Sequence, residues 1–126
     1  MKQIVVLVIT LLIVVSAGIW ETAYLNESSS YFLSDISNIY QMAKREEFDN
    51  AKKESENLKS EWTNIRKTWA LFIDDSQMDE IGDKLTSFVS YIELQNNEEI
   101  THSYNSLSGS IKSIIEFESL KVENIF

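Results

Sequence analysis

The chain has 126 residues, with 11 Lys and Arg against 20 Asp and Glu, a formal net charge of −9, no Cys and no Pro. An acidic balance of this size argues against nucleic acid as a partner, because that binding rests on neutralising phosphates with a basic surface, and the lack of Cys excludes disulfides and thiolate metal sites. Without Pro, and with only Gly18, Gly82 and Gly109, the chain lacks the tight turns of an all-β sandwich and is expected to be all α.

The first element is Ile4 to Trp20, IVVLVITLLIVVSAGIW, which has no charged residue. A bilayer core about 30 Å thick needs roughly 20 mostly apolar helical residues, with a range of about 17 to 25. Residues 4–20 are therefore expected to lie in membrane lipid as one transmembrane helix, with Trp20 and Tyr24 in the interfacial aromatic belt. Lys2 and the terminal amine precede the segment and Glu21 and Glu27 follow it, so the positive-inside bias puts the amino terminus in the cytoplasm. The bulk of a single-pass protein of the cell membrane would then be extracytoplasmic. A cleaved secretory signal is the rival, with small residues at Val15-Ser16-Ala17 or Ser16-Ala17-Gly18. The apolar run continues past them through Ile19 and Trp20, which favours a signal-anchor spanning residues 1–24 and one extracytoplasmic domain over residues 25–126.

Asn26 to Ser30 is polar and Ser-rich and is expected to be a hinge or short linker. Phe32, Ile36, Ile39 and Ala43 then recur at helical spacing on a helix from about Ser29 to Lys44, and the phase breaks at Arg45 to Glu47 without Gly or Pro. Ala51, Ser55, Leu58, Trp62, Ile65, Trp69 and Phe72 alternate steps of four and three on a long second helix. Its last turn, Trp69 to Ile73, is apolar all round, which suits a helix end surrounded by neighbours. Asp74-Asp75-Ser76 stops it, and Ser76 with Asp79 resembles a capping box opening a third helix along Met78, Ile81, Leu85, Phe88 and Ile92. Asn96 or Asn97 caps a fourth, along Ile100, Tyr104, Leu107, Ile111 and Ile114, then Phe117 and Leu120, with an apolar ending at Ile125-Phe126. Short connections between such helices imply antiparallel neighbours, so the expectation is an up-and-down bundle of about four helices after the membrane helix.

Charge is uneven, since from Asp74 onward only Lys84, Lys112 and Lys121 balance 11 acids. Asp75, Asp79 and Asp83 stand four apart, so their oxygens on one helix face are weak candidates for Ca²⁺ or Mg²⁺. The stretch lacks the Gly and Glu of a calcium loop, and acids at a helix start are favoured by its dipole in any case, by about 0.3–1 kcal/mol each. Trp62, Trp69 and Phe72 at heptad spacing suit a core better than a ligand groove. His102 stands without a second imidazole, no Gly-x-Ser-x-Gly turn exists, and Glu116 and Glu118 are two apart and diverge on a helix. No catalytic set, cofactor or enzyme activity is expected.

With Trp62 to Asp75, the pattern ending Tyr91-Ile92 and the closing Glu118 to Asn124-Ile125-Phe126, the chain resembles domain of unknown function family 4363, short anchored helical proteins of spore-forming Gram-positive bacteria. The resemblance implies no catalytic residues. It implies genomic neighbours that are multi-span membrane proteins of the YetF type, hence a membrane protein partner. Together these readings describe an anchored extracytoplasmic accessory or interaction module. The alternative is a small-ligand or divalent-cation binding domain, anchored or secreted after signal cleavage.

Overall fold

The computed structural model describes residues 1–125. Four helices follow one another: α1 Lys2–Lys44, α2 Phe48–Trp69, α3 Asp75–Glu93 and α4 Asn97–Ile125. Among the described residues there is no strand. The side chains of the apolar ending Ile125-Phe126 lie outside the described residues.

α1 corrects the expected hinge, for the helix runs unbroken through Asn26 to Ser30. The serine hydroxyls turn back onto their own helix instead of capping a new one. Ser28 Oγ donates to the Tyr24 carbonyl at 2.7 Å and Ser29 Oγ to that of Asn26 at 3.2 Å, a bonding pattern that satisfies a hydroxyl without ending the helix. At 1.5 Å per residue the helix is a rod about 65 Å long. Its first half is long and apolar enough to cross a membrane and is almost wholly uncovered, while its second half buries Leu25, Phe32, Ile36, Ile39 and Ala43.

The turn at Arg45 to Glu47 forms where the phase broke, and Glu46 supplies the left-handed residue that Gly usually provides, with φ of 60°. The Glu46 N–H donates to the Ala43 carbonyl and the Glu47 N–H to that of Met42, the paired bonds of a Schellman motif. The α3–α4 turn repeats the device, with Gln95 at φ 54° and N–H bonds from Gln95 to Ile92 and from Asn96 to Tyr91. A left-handed conformation strains a side chain that bears a Cβ. Glu46→Gly and Gln95→Gly are therefore each expected to stabilise the fold by about 0.5–1 kcal/mol, read by urea unfolding of the full chain in detergent. A loss of stability in both would show that these positions are not left-handed.

The end of α2 needs a second correction. The helix stops at Trp69, and the Leu71 and Phe72 N–H groups reach only three residues back, to Thr68 and Trp69. This tighter winding buries Ile73 but throws Leu71 outward at 71% exposure, so the apolar turn is not enclosed on all sides. The expected capping box is also absent, since α3 begins at Asp75, Asp74 makes no side-chain cap bond, and Asp79 is paired with Arg66. Asn96 does cap α4, its Oδ1 accepting the Glu99 N–H at 3.2 Å.

α1 packs against α2 and α4, and α3 against the same two, giving a ring of antiparallel neighbours. The end where the apolar stretch of α1 leaves the bundle, together with the α2–α3 turn and the end of α4, is called the near end. The other two turns form the far end. Phe32, Ile36, Leu58, Trp69, Met78, Ile81, Phe88, Ile92, Leu107 and Ile111 fill the core between the helices from the near end to the far end, each contributing roughly 1.5–3 kcal/mol or more when buried. Trp62 lies between Phe32 and Trp69, with centroids 5.8 Å from each. Toward the far end Ala43, Ala51 and Ser55 let α1 and α2 come together, and Tyr40 stacks on Tyr104 at 4.1 Å.

α4 departs from its expected pattern after Ile114. Ile115 and Glu118 face inward, whereas Phe117 and Leu120 are 54% and 51% exposed. Lys84 is bonded to Ser110, and that antiparallel register brings the first residue of α3 level with about Ser119. Leu120 therefore runs past the end of α3, while Phe117, still alongside its first turn, is turned outward as Ile115 and Glu118 turn in.

Candidate functional site

The three aspartates named from spacing do not converge. Asp79 is engaged by α2, its Oδ1 accepting from Arg66 Nη2 at 2.6 Å, Asp75 is exposed in the first turn of α3, and Asp83 faces a cleft between α3 and α4. Among the described residues no group of three His, Asp or Glu is placed to hold a metal ion. The α3–α4 cleft, about 300 Å³, also receives His102, Glu99 and Ser106. Lys84 at its edge is occupied with Ser110 and, at 3.2 Å, with Glu80. Trp62 and Trp69 belong to the core, as their spacing implies, and Phe72 is partly buried against it.

The polar arrangement with the least ordinary electrostatics lies between α1 and α2. Asp35 precedes the buried Ile36 and Glu61 precedes the buried Trp62, so each carboxyl stands at the rim of the core. The Phe32–Trp62 contact sets the register that brings them together. Glu61 Oε1 is shut off from solvent and has no donor when both groups are charged. Desolvation first, and then the bond to Asp35 and its charge, push the Glu61 carboxyl up to about 8. A proton held between the two carboxyls supplies the missing donor and relieves their repulsion together.

Two clefts meet at this pair and share Tyr31 and Glu61. One, about 430 Å³ and mostly apolar, runs toward the near end past Tyr24 and Ile65. The other, about 300 Å³, runs toward the far end past Asn38, Met42 and Asn57. A groove that is mostly apolar toward the near end and polar toward the far end, with two carboxyls at its waist, is suited to a cation on an apolar stem, which would replace the shared proton.

Spacing alone missed this pair because the residues are far apart in the chain and each sits among ordinary helical acids. The available signal was their position, each one step before a core residue on neighbouring antiparallel helices. A second missed feature is at the near end, where Glu118 is 3% exposed and pairs with Lys121 at 3.2 Å. Burial and then Glu118 raise the Glu21 carboxyl above its ordinary value, with Lys121 opposing them. Glu116, by contrast, is exposed, so the two neighbouring glutamates diverge as their spacing implies.

In comparison with known proteins, the model of one family, described as Domain of unknown function (DUF4363), matches residues 19–125. No curated protein and no solved structure matches the chain.

Proposed function

The chain belongs to the family DUF4363, and from that premise we propose that it is a membrane-anchored, extracytoplasmic accessory module that docks another membrane protein. The observation that carries the reading is the uncovered apolar half of α1, joined without a hinge to a bundle that buries its own core. Lipid is the phase in which such a surface is stable. Lys2 before it and Glu21 and Glu27 after it orient the bundle outward.

A rigid rod fixes the height and direction of everything on the bundle, which favours a role in presenting a surface over one in chemistry. The surface presented is the α1–α2 groove, with Tyr31 exposed at 66% beside the Asp35–Glu61 pair. A Lys or Arg of the partner fits there, and electrostatic matching of that kind speeds association and weakens with salt. The multi-span membrane proteins suggested by the family resemblance are partners of this type.

The test uses the absence of native Cys. Ser60→Cys on exposed α2 is expected to react with a membrane-impermeant thiol reagent in intact cells, and Lys2→Cys only after permeabilisation. A photo-crosslinker at Tyr31 should then join a membrane protein in a salt-sensitive way. The opposite labelling order would overturn the address, and a crosslinker that yields only the uncoupled chain would overturn the docking role.

A further inference from the structure

Outside the apolar stretch of α1, the exposed large apolar side chains among the described residues are few, and most gather at one place. Leu71, Phe117 and Leu120 are each more than half exposed, and all lie at the near end, where Trp20, the last residue of that stretch, is 53% exposed. Tyr31, in the groove already described, and Leu94, at the far end, are the others. Solitary exposed apolar residues need no explanation, whereas a cluster contributed by several elements marks a contact.

The elements that supply the cluster are at one height. Phe72 of the α2–α3 turn lies edge-on to Trp20, with centroids 5.6 Å apart, and Trp20 stacks on Tyr24 at 5.7 Å. On the other side Glu118 and Lys121 of α4 reach the charge of Glu21. α4 continues beyond Lys121 to Ile125, in the direction of Gly18, which is buried. The end of α4 therefore reaches the level of Glu21, at the boundary of the stretch read as membrane helix, with Glu123 and Asn124 exposed there. Lys67 is exposed at the same end, where its stem can lie on apolar surface and its amine reach phosphate. Lys121 is held by Glu118, and the acids Asp74, Asp75 and Glu123 are exposed around the patch.

We propose that the near end of the bundle is itself a lipid-contacting surface. Leu71 and Phe72 of the α2–α3 turn, and Phe117 and Leu120 of α4, lie in the headgroup region of the leaflet from which α1 emerges. The inference rests on the anchored reading of α1 and deepens it: the protein touches the membrane at two places beside the rod, the α2–α3 turn and the end of α4, as well as through it. Apolar and aromatic side chains at this depth are the usual interfacial anchors. Because the contact is apolar, and the bundle as a whole is acidic, it requires no anionic lipid.

The experiment places single Cys residues in the full chain, reconstituted in nanodiscs of zwitterionic phosphatidylcholine, and attaches an environment-sensitive fluorophore. Positions are Leu71→Cys, Leu120→Cys, Leu94→Cys as the far-end reference and Ile9→Cys within the anchor. Quenching by aqueous iodide is compared with quenching by lipid carrying a headgroup nitroxide. At Leu71 and Leu120 iodide quenching is expected to fall several-fold below that at Leu94, with strong quenching by the nitroxide lipid. Iodide quenching equal to that at Leu94, while Ile9 remains protected in lipid, overturns this inference and leaves the anchor standing. Protection from iodide without nitroxide quenching, as a second copy or another protein over the patch would give, also overturns it. An Ile9 label open to iodide overturns the anchored reading and this inference together.

Discussion

Replacing Trp69 by Ala is expected to destabilise the bundle by about 3–5 kcal/mol, in a protein of a size class whose total stability is about 5–15 kcal/mol. Trp69 is 0% exposed, closes α2, and meets Trp62 edge-on with an interplanar angle of 82°. Its Nε1–H donates to Ser28 Oγ at 2.9 Å, and that hydroxyl donates onward to the Tyr24 carbonyl at 2.7 Å. The indole thus ties α2 to α1 at the height where the rod leaves the bundle. Truncation removes both the buried area and the tie, and the rigid helices around it cannot collapse fully into the space. Trp69→Phe keeps most of the volume and loses the N–H donor, while Ser28→Ala keeps the indole and leaves its N–H unpaired. Each is expected to cost about 1–2 kcal/mol. Urea unfolding of the full chain in detergent micelles, followed by far-ultraviolet circular dichroism, gives the order. An alanine variant within about 1 kcal/mol of the parent would contradict the placement of Trp69 in the core.

The second large effect is a pH dependence from Asp35 and Glu61. The folded Glu61 carboxyl sits at about 8, above its ordinary value of 4.5. Between those two values the folded state keeps a proton that the unfolded state has released. Stability therefore falls as pH rises through about 5 to 8 and levels off above 8. Because Glu61 is only half-buried, solvent screening reduces the effect to about 1–2 kcal/mol. Glu61→Gln is expected to flatten this part of the profile and to be more stable than the parent at pH 8, since its amide donates to Asp35 and carries no charge. Asp35→Asn should act in the same direction, and the two together should gain less than their sum, because either change removes the one repulsion. Thermal unfolding at intervals from pH 5 to 9 measures this. A Glu61→Gln profile as steep as the parent's would show that the two carboxyls do not interact.

These two effects bear on the proposed docking role from opposite sides. Trp69 holds the α1–α2 pair at a set angle, and the carboxyl pair in the groove between them must keep a proton at neutral pH and is left with unrelieved repulsion as pH rises through about 8. A partner cation that replaces the proton binds with a free-energy gain drawn from the same repulsion. The Glu61→Gln variant should accordingly be more stable and dock less well, a trade expected where a binding site is kept under strain.

The steps of three and four along the chain were enough to identify the inward faces of the second half of α1, of α2 and α3, and of α4 as far as Ile114. Phe32, Ile36, Leu58, Trp62, Met78, Phe88, Leu107 and Ile111 are buried as their spacing implies. The uncharged run from Ile4 to Trp20 marked the uncovered half of α1, and Asn96 marked the start of α4. These are local properties, set by which residues follow one another within a turn or two. The continuous α1, the pairing of Asp79 with Arg66, the meeting of Asp35 with Glu61 and the exposure of Phe117 and Leu120 were decided only by tertiary structure. Serine hydroxyls cap or back-bond according to what surrounds them. Which acids meet, and which apolar residues run past the end of a neighbouring helix, depends on the register between helices. That register is set by interlocking side chains such as Phe32, Trp62 and Trp69, far apart in the chain and adjacent only once it has folded.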